Sequence, residues 1–267
     1  TNNVKGIHQW SEYESRIEKN SDRILNLLDQ KNLKATFFCL GWVAEKHPKV
    51  VQKIKNCGHS IGVHSYAHDL IYKQEISDFR SDLHKSMAIL EDLTGDKIKY
   101  YRAPGFSLIP SCNWVFTELR NAGIEVDCSI FPTARAHGGY EGFGNGEPVR
   151  VKYKDIVMRE LPINVFRLFS RNLIFSGGGY FRFFPYTLID KLMNQSPYVM
   201  TYFHPRDFDP GQPIIPQLPH ARKFRFYTGL KGAFQKLERL VSEHAFIDVE
   251  EAVNKIDWEQ TPEVTFA

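Results

Sequence analysis

"KATFFCLGWVAEKHPKVVQKIKNCGHSIGVHS", residues 34–65, reads as strand, helix, strand. "KATFFCLG" is an apolar run of strand length. "HPKVVQKIKNCG" carries apolar residues at helical spacing, with Pro48 suited to a first turn and Gly58 to a C-terminal cap. "HSIGVHS" is a second short strand that ends at His64. A helix closed by Gly and followed by a short apolar strand is the unit from which parallel sheets with outer helices are built.

The same rhythm runs outward from this stretch. Upstream, Ile17, Ile24, Leu25, Leu27 and Leu28 form a helical stripe between Tyr13 and Gln30. Downstream come the helix "ISDFRSDLHKSMAILEDLTG", the strand "IKYYRAPG", the helix "NWVFTELRNAG" and the strand "IEVDCSIFP". Residues 133–185 break the pattern: "AHGGYEGFGNGEP" and "FSGGGYFRFFP" are Gly-rich and aromatic and read as loops or irregular strands rather than helices. Regularity returns with the strand "YVMTYFHP", the helix "GLKGAFQKLERLVSEHA" and the strand "FIDVEE". No repeat, low-complexity tract or linker divides the chain, so the expectation is one α/β domain over residues 1–267, with an open or barrel-shaped parallel sheet.

Composition narrows the class. A formal charge of +3 among 24% charged residues is too slight for a surface that tracks phosphates, which argues against nucleic acid as a partner. The 13% aromatic content supplies core and stacking faces for sugar rings. Cys39, Cys57, Cys112 and Cys128 have no CxxC spacing, so reduced thiols are expected. No apolar run approaches the roughly 20 residues of a membrane span, and no export segment opens the chain, which leans the expectation to the cytoplasm. Oligomeric state is not readable.

Chemistry-bearing residues fall at the ends of the expected strands: His64 and His68, Arg102, Asp127 and His204. Parallel α/β folds place their active sites there. His64 and His68 alone are weak evidence for a metal, because ten histidines in 267 residues give about a third of such a pair by chance. Their company strengthens the reading. Two imidazoles can supply part of a zinc site; His204 can protonate a leaving amine, Asp127 can orient that imidazole, and Arg102 can pin a carboxylate. His8, His47, His84, His137, His220 and His244 lack such company and read as solvated.

In this order, "ATFFCLGWVAEKHP", "GHSIGVHSYAH", "YYRAPGFS", "VDCSIFP", "GGGYFRFFPY" and "YFHPRDFDP" resemble the polysaccharide deacetylase family (carbohydrate esterase family four), in particular its bacterial exopolysaccharide and O-antigen branch. The resemblance covers about Tyr13 to Asp248. It implies a distorted (β/α) barrel with fewer than eight strands, and metal-dependent removal of N-acetyl groups from an amino sugar of a surface polysaccharide or its precursor. It implies His64 and His68 as ligands of a divalent metal, zinc first, with cobalt or nickel as substitutes. Arg102 is then expected to contact the catalytic base, Gly105 to offer its N–H to the oxyanion, His204 to act as the acid and Asp127 to tune it. Phe106, Tyr180 and Arg182 are expected to line the sugar groove.

Two departures stand out. The family opens with a strand bearing an acidic pair, a base and a third metal ligand, whereas "TNNVKGIHQW" has no acidic residue; the expectation is a truncated N-terminus, with weak metal binding and an inactive chain as written. "HPRD" stands where the branch often has an aromatic residue and then Glu, so Asp207 takes the place of that carboxylate with a shorter reach. Two alternatives stay open: an amidohydrolase of a small non-sugar amide, and a non-catalytic glycan-binding relative.

Overall fold

Thr36–Cys39 and Ser60–Val63 pair in parallel over their full length, Thr36 opposite Ser60 and Cys39 opposite Val63, as the opening strand–helix–strand stretch predicts. The structure is a computed structural model and describes residues 14–135, 138–144, 146–168, 171–215 and 218–266. Its elements in chain order are α1 (Ile17–Gln30), β1 (Thr36–Cys39), α2 (Gly41–Lys46), α3 (Pro48–Asn56), β2 (Ser60–Val63), α4 (Ile76–Thr94), β3 (Tyr100–Tyr101), α5 (Val115–Asn121), β4 (Val126–Asp127), β5 (Val149–Tyr153), β6 (Ile156–Glu160), β7 (Phe166–Leu168), β8 (Arg171–Leu173), α6 (Gly178–Phe183), α7 (Tyr186–Gln195), α8 (His220–Tyr227), α9 (Leu230–Glu243), α10 (Val249–Lys255) and β9 (Glu263–Phe266). "TNNVKGIHQW", His8 and His137 lie outside the described residues.

Two compact units share these elements. One, the sheet unit, takes Lys34–Val165 and the chain from Ile247 onward; the other, the helical unit, takes the described residues up to Leu33 with Phe166–Phe246. The sheet unit carries seven strands in the order β1-β2-β3-β4-β6-β5-β9. All pairings are parallel except the β5–β6 hairpin, which gives the α/β class that the sequence predicts, with fewer than eight strands in this sheet among the described residues, as the resemblance implies. Among the described residues the ladder is open between β1 and β9. Its buried residues include Val63, Tyr101, Val126 and Met158 of the strands, Leu83 and Leu90 of α4, and Phe116 and Leu119 of α5. Each of these side chains contributes roughly 1.5–3 kcal/mol through removal from water.

The helical unit closes on a separate apolar cluster: Leu27 of α1, Phe181 of α6, Ile189 and Leu192 of α7, and Phe234, Leu237 and Leu240 of α9, with Phe175 and Phe208. Among the described residues no helix is long and apolar enough to cross a membrane. The four cysteines are free thiols.

Several elements differ from the sequence expectation. "VRVKYKDIVMRE", inside the stretch read as irregular, is the β5–β6 hairpin, and its alternating Val149, Val151, Ile156 and Met158 are the signal that could have found it. "GGYFRF" is helix α6, not loop. It starts where Gly177 passes so close to Tyr202 that a Cβ would lie 2.1 Å from the Tyr202 carbonyl oxygen. "YVMTYFHP" forms only one bridge, Tyr202 to Gly177, rather than a strand. "FIDVEE" leads into helix α10, because Asp248 accepts the Glu251 N–H at 2.8 Å and caps it. His244 is not simply solvated: its Nε2 meets Asp190 at 3.0 Å.

Candidate active site

In the sheet unit, the predicted residues gather at the carboxyl ends of three adjacent parallel strands: His64 follows β2, Arg102 follows β3 and Asp127 ends β4. The loop after β2 is strained on purpose. Ser65 and His68 both have left-handed backbone, φ 63° and 60°, a conformation that L side chains pay for. The surroundings hold it there. The buried Ser65 hydroxyl accepts the His68 N–H at 2.9 Å, Asp82 of α4 accepts the Tyr66 N–H at 2.8 Å, and the Ser65 and Tyr66 carbonyls accept from Gly41 and Trp42 at the start of α2. Asp82 carried no sequence signal, since an acidic residue on an amphipathic helix reads as solvated.

His64 and His68 stand edge to face, ring centroids 5.2 Å apart. Nδ1 of His64 lies 2.6 Å from the Arg102 carbonyl oxygen, which can only accept. Nδ1 therefore carries the hydrogen and the lone pair sits on Nε2, the tautomer that a metal ligand needs and the outer contact that orients one. The two imidazoles fit two positions of a divalent site. Among the described residues no group of three or more His, Cys, Asp or Glu is placed so that it could hold a metal ion.

Arg102 is 9% exposed, with Nε donating to the Cys128 carbonyl at 3.0 Å and its guanidinium 4.3 Å from the Phe38 ring centre. Its Nη2 is buried without a hydrogen-bond partner among the described residues, so one edge of the fork remains for an acceptor. Gly105 follows in a turn at φ 62°, which glycine adopts at no steric cost. Phe106, expected in the groove, is instead 5% exposed and packed on Phe131 at 5.3 Å.

Asp127 is fully buried. Its Oδ1 accepts the Cys128 N–H at 2.9 Å and the Ser129 hydroxyl, and Ser129 in turn accepts the Ala103 N–H at 2.8 Å, tying β4 to the turn after β3. Opposite it on β6 stands Glu160, also fully buried, whose Oε1 accepts the Ile130 N–H at 3.0 Å. Burial raises both carboxyls, Glu160 well above its ordinary range, with the Asp127 charge adding to the effect. Hydrogen bonds from Glu160, Ser129 and Cys128 and the charge of Arg102 counteract the rise at Asp127. The proton of the pair therefore resides on Glu160. Glu160 escaped the sequence reading because its strand did; an acid on the apolar phase of a strand was the available sign.

In the helical unit, His204 caps the short turn Pro205–Phe208. Asp207 Oδ2 accepts the His204 backbone N–H at 2.9 Å and lies 3.1 Å from its Nδ1. Asp207 Oδ1 meets Nη1 of Arg182 at 2.9 Å, with both side chains under a tenth exposed. Arg182, expected to face sugar, is thus committed to Asp207. Tyr180, two residues earlier in α6, is 42% exposed.

Residues 9–125 match the profile of the family described as "Polysaccharide deacetylase", and residues 128–254 that described as "Domain of unknown function (DUF3473)". A peptidoglycan-N-acetylglucosamine deacetylase of Bacillus cereus is 44% identical over 82 residues, 31% of this chain and 30% of that protein. A peptidoglycan deacetylase of Helicobacter pylori is 29% identical over 99 residues, 37% of this chain and 31% of that protein. The chain thus spans about a third of the length of these curated relatives. A solved structure described as "putative polysaccharide deacetylase from Mycobacterium smegmatis" shares the fold at TM-score 0.63 and 19% identity, covering 93% of this chain and 80% of that one. The likeness to the polysaccharide deacetylase profile thus lies in residues 9–125, less than half of the chain.

Proposed function

We propose that this protein is a metal-dependent hydrolase that removes N-acetyl groups from an amino sugar of a surface polysaccharide, of the exopolysaccharide or O-antigen kind, or of its precursor. The observation that carries the reading is the His64 Nδ1 contact to the Arg102 carbonyl, which puts the ring hydrogen on Nδ1, beside a second imidazole at the carboxyl edge of a parallel sheet. The family support given by the profile and the peptidoglycan deacetylases adds the reaction class.

In this reading His64 and His68 hold the ion, zinc first, with cobalt or nickel as substitutes. When bound, it supplies a lowered water pKa and polarisation of the acetyl carbonyl. Every other role falls to the chain. Arg102, with its Nη2 edge available, pins a carboxylate base. Gly105 offers its N–H to the oxygen on which charge develops. His204, its side chain 54% exposed, protonates the departing amine, whose expulsion unprotonated is the costly event in amide cleavage. Tyr180 offers an exposed ring for stacking on a sugar face.

Acetate release by the zinc-loaded full-length protein tests this, on a panel of N-acetylated exopolysaccharide, lipopolysaccharide O-chain, peptidoglycan and small non-sugar amides. Release from an N-acetylhexosamine polymer supports it. Cleavage of the small amides alone, or glycan binding without release, overturns it in favour of an amidohydrolase or a glycan-binding protein.

A further inference from the structure

We infer that Asp207, locked by Arg182, is the positioning residue that fixes the His204 ring for proton transfer, a role that the family resemblance would give to Asp127. The inference rests on the reading of His204 as the acid.

An imidazole has one Nδ1, and here Asp207 Oδ2 holds it at 3.1 Å while also accepting the His204 backbone N–H at 2.9 Å. One carboxylate oxygen thereby fixes both the ring's rotation and its tautomer. Nδ1 carries hydrogen in either charge state, and Nε2 is the nitrogen that gains and loses the transferable proton. The ring is 54% exposed, so Nε2 is reachable, whereas Asp207 is 7% exposed and shielded from competing water.

Asp207 is itself held. Its second oxygen takes Nη1 of Arg182 at 2.9 Å, and Arg182 is 4% exposed. The backbone that carries Arg182 is clamped by Lys236, whose Nζ donates to the carbonyls of Phe181, Arg182 and Phe184 at 3.0, 3.1 and 2.7 Å. The Gly177–Tyr202 bridge ties the start of α6 to the strand-like segment that leads into His204. Burial alone would raise the Asp207 carboxyl, yet the bonds and charges of His204 and Arg182 bring it below its ordinary value, so it stays an acceptor. Asp127 is differently employed: it is fully buried, bonded to Cys128 and Ser129, and faces Glu160. The other charged group on the turn, Arg206, turns its guanidinium to the Phe226 ring at 4.2 Å.

A purely structural cap would also use Asp207, so the test needs readouts that a cap does not move. Asp207→Asn keeps the shape and an oxygen for the His204 N–H while replacing the carboxylate by an amide. Two probes are compared on the zinc-loaded full-length protein: an N-acetylglucosamine oligomer, whose amine must be protonated to leave, and 4-nitrophenyl acetate, whose phenolate need not be. The expected result is a kcat loss of about tenfold or more on the amide with KM within about twofold, and less than about twofold loss on the ester. Equal losses on both probes overturn the inference. If the Asn variant does not fold, Arg182→Lys replaces it, with a smaller loss of the same amide-selective kind. His204→Gln separates the two layers: full amide activity there overturns the acid reading itself, whereas a dead Gln variant beside an active Asn variant overturns only the Asp207 role.

Discussion

Asp127 and Glu160 face each other across the parallel ladder between β4 and β6, both with no exposed surface, and they hold one proton between them beside the guanidinium of Arg102. Two adjacent buried carboxylates cannot both ionise, so this pair places a single negative charge opposite a single positive one. The wall behind the strand-end cluster is built from this charge balance.

Glu160→Gln tests it through stability. Burial, then the Asp127 charge, raises the Glu160 carboxyl well above its ordinary value of 4.5. Over that window the folded state binds more protons than the unfolded one, and stability falls as pH rises. Glutamine can keep the Ile130 contact and donate to Asp127 without titrating. The variant's Tm should therefore fall less than the wild-type Tm between about pH 5 and pH 8, and the variant should be more stable by about 1 kcal/mol or more at the upper end. Parallel Tm profiles would refute the shared proton.

Asp209→Asn should act with the opposite sign. Arg16 grips Asp209 at 2.6 and 2.9 Å, Asn20 adds a bond at 2.9 Å and Gly211 N–H one at 3.1 Å, which bring this carboxyl down to about 2. Its contribution is present above the ordinary value of 3.8 and disappears as pH falls from there to about 2. The variant should lose about 2 kcal/mol at neutral pH in urea titrations and show a flatter acid limb. Asp209 ends the segment that carries His204, and α1 is anchored to it, so the loss should appear as weaker protection of α1 in hydrogen exchange.

Replacing His64 or His68 by Ala should weaken zinc binding by calorimetry at least about tenfold while leaving the sheet intact by circular dichroism. Ser65→Ala should weaken it less, by loosening the left-handed loop that the Ser65 hydroxyl fixes through the His68 N–H. Equal zinc affinity in the wild type and both His variants would remove the metal from the proposal.

Gly177→Ala should destabilise the helical unit by about 3 kcal/mol or more, since its Cβ would meet the Tyr202 carbonyl oxygen at 2.1 Å and the bridge would have to open. Loss of protection in α6, with normal protection of β1 and β2, is the expected exchange pattern. A variant as stable as the wild type would show that the bridge contributes nothing.

What the sequence by itself determined is local: hydrophobic period, Pro48 and the Gly58, Gly95 and Gly123 stops gave β1 to β4 and their helices, and therefore the carboxyl edge at which His64, Arg102 and Asp127 stand. Those signals are set by residues within a few positions of one another, so they survive in one dimension. The rest was decided by partners far along the chain. α6 forms from a Gly-rich run because Tyr202 closes on Gly177; Glu160 becomes half of a dyad because β6 pairs with β4; and Asp207 rather than Asp127 takes the His204 Nδ1, with Arg182 from α6 neutralising it. A carboxylate's role depends on which cation, donor and dielectric surround it, and only the packed chain supplies those.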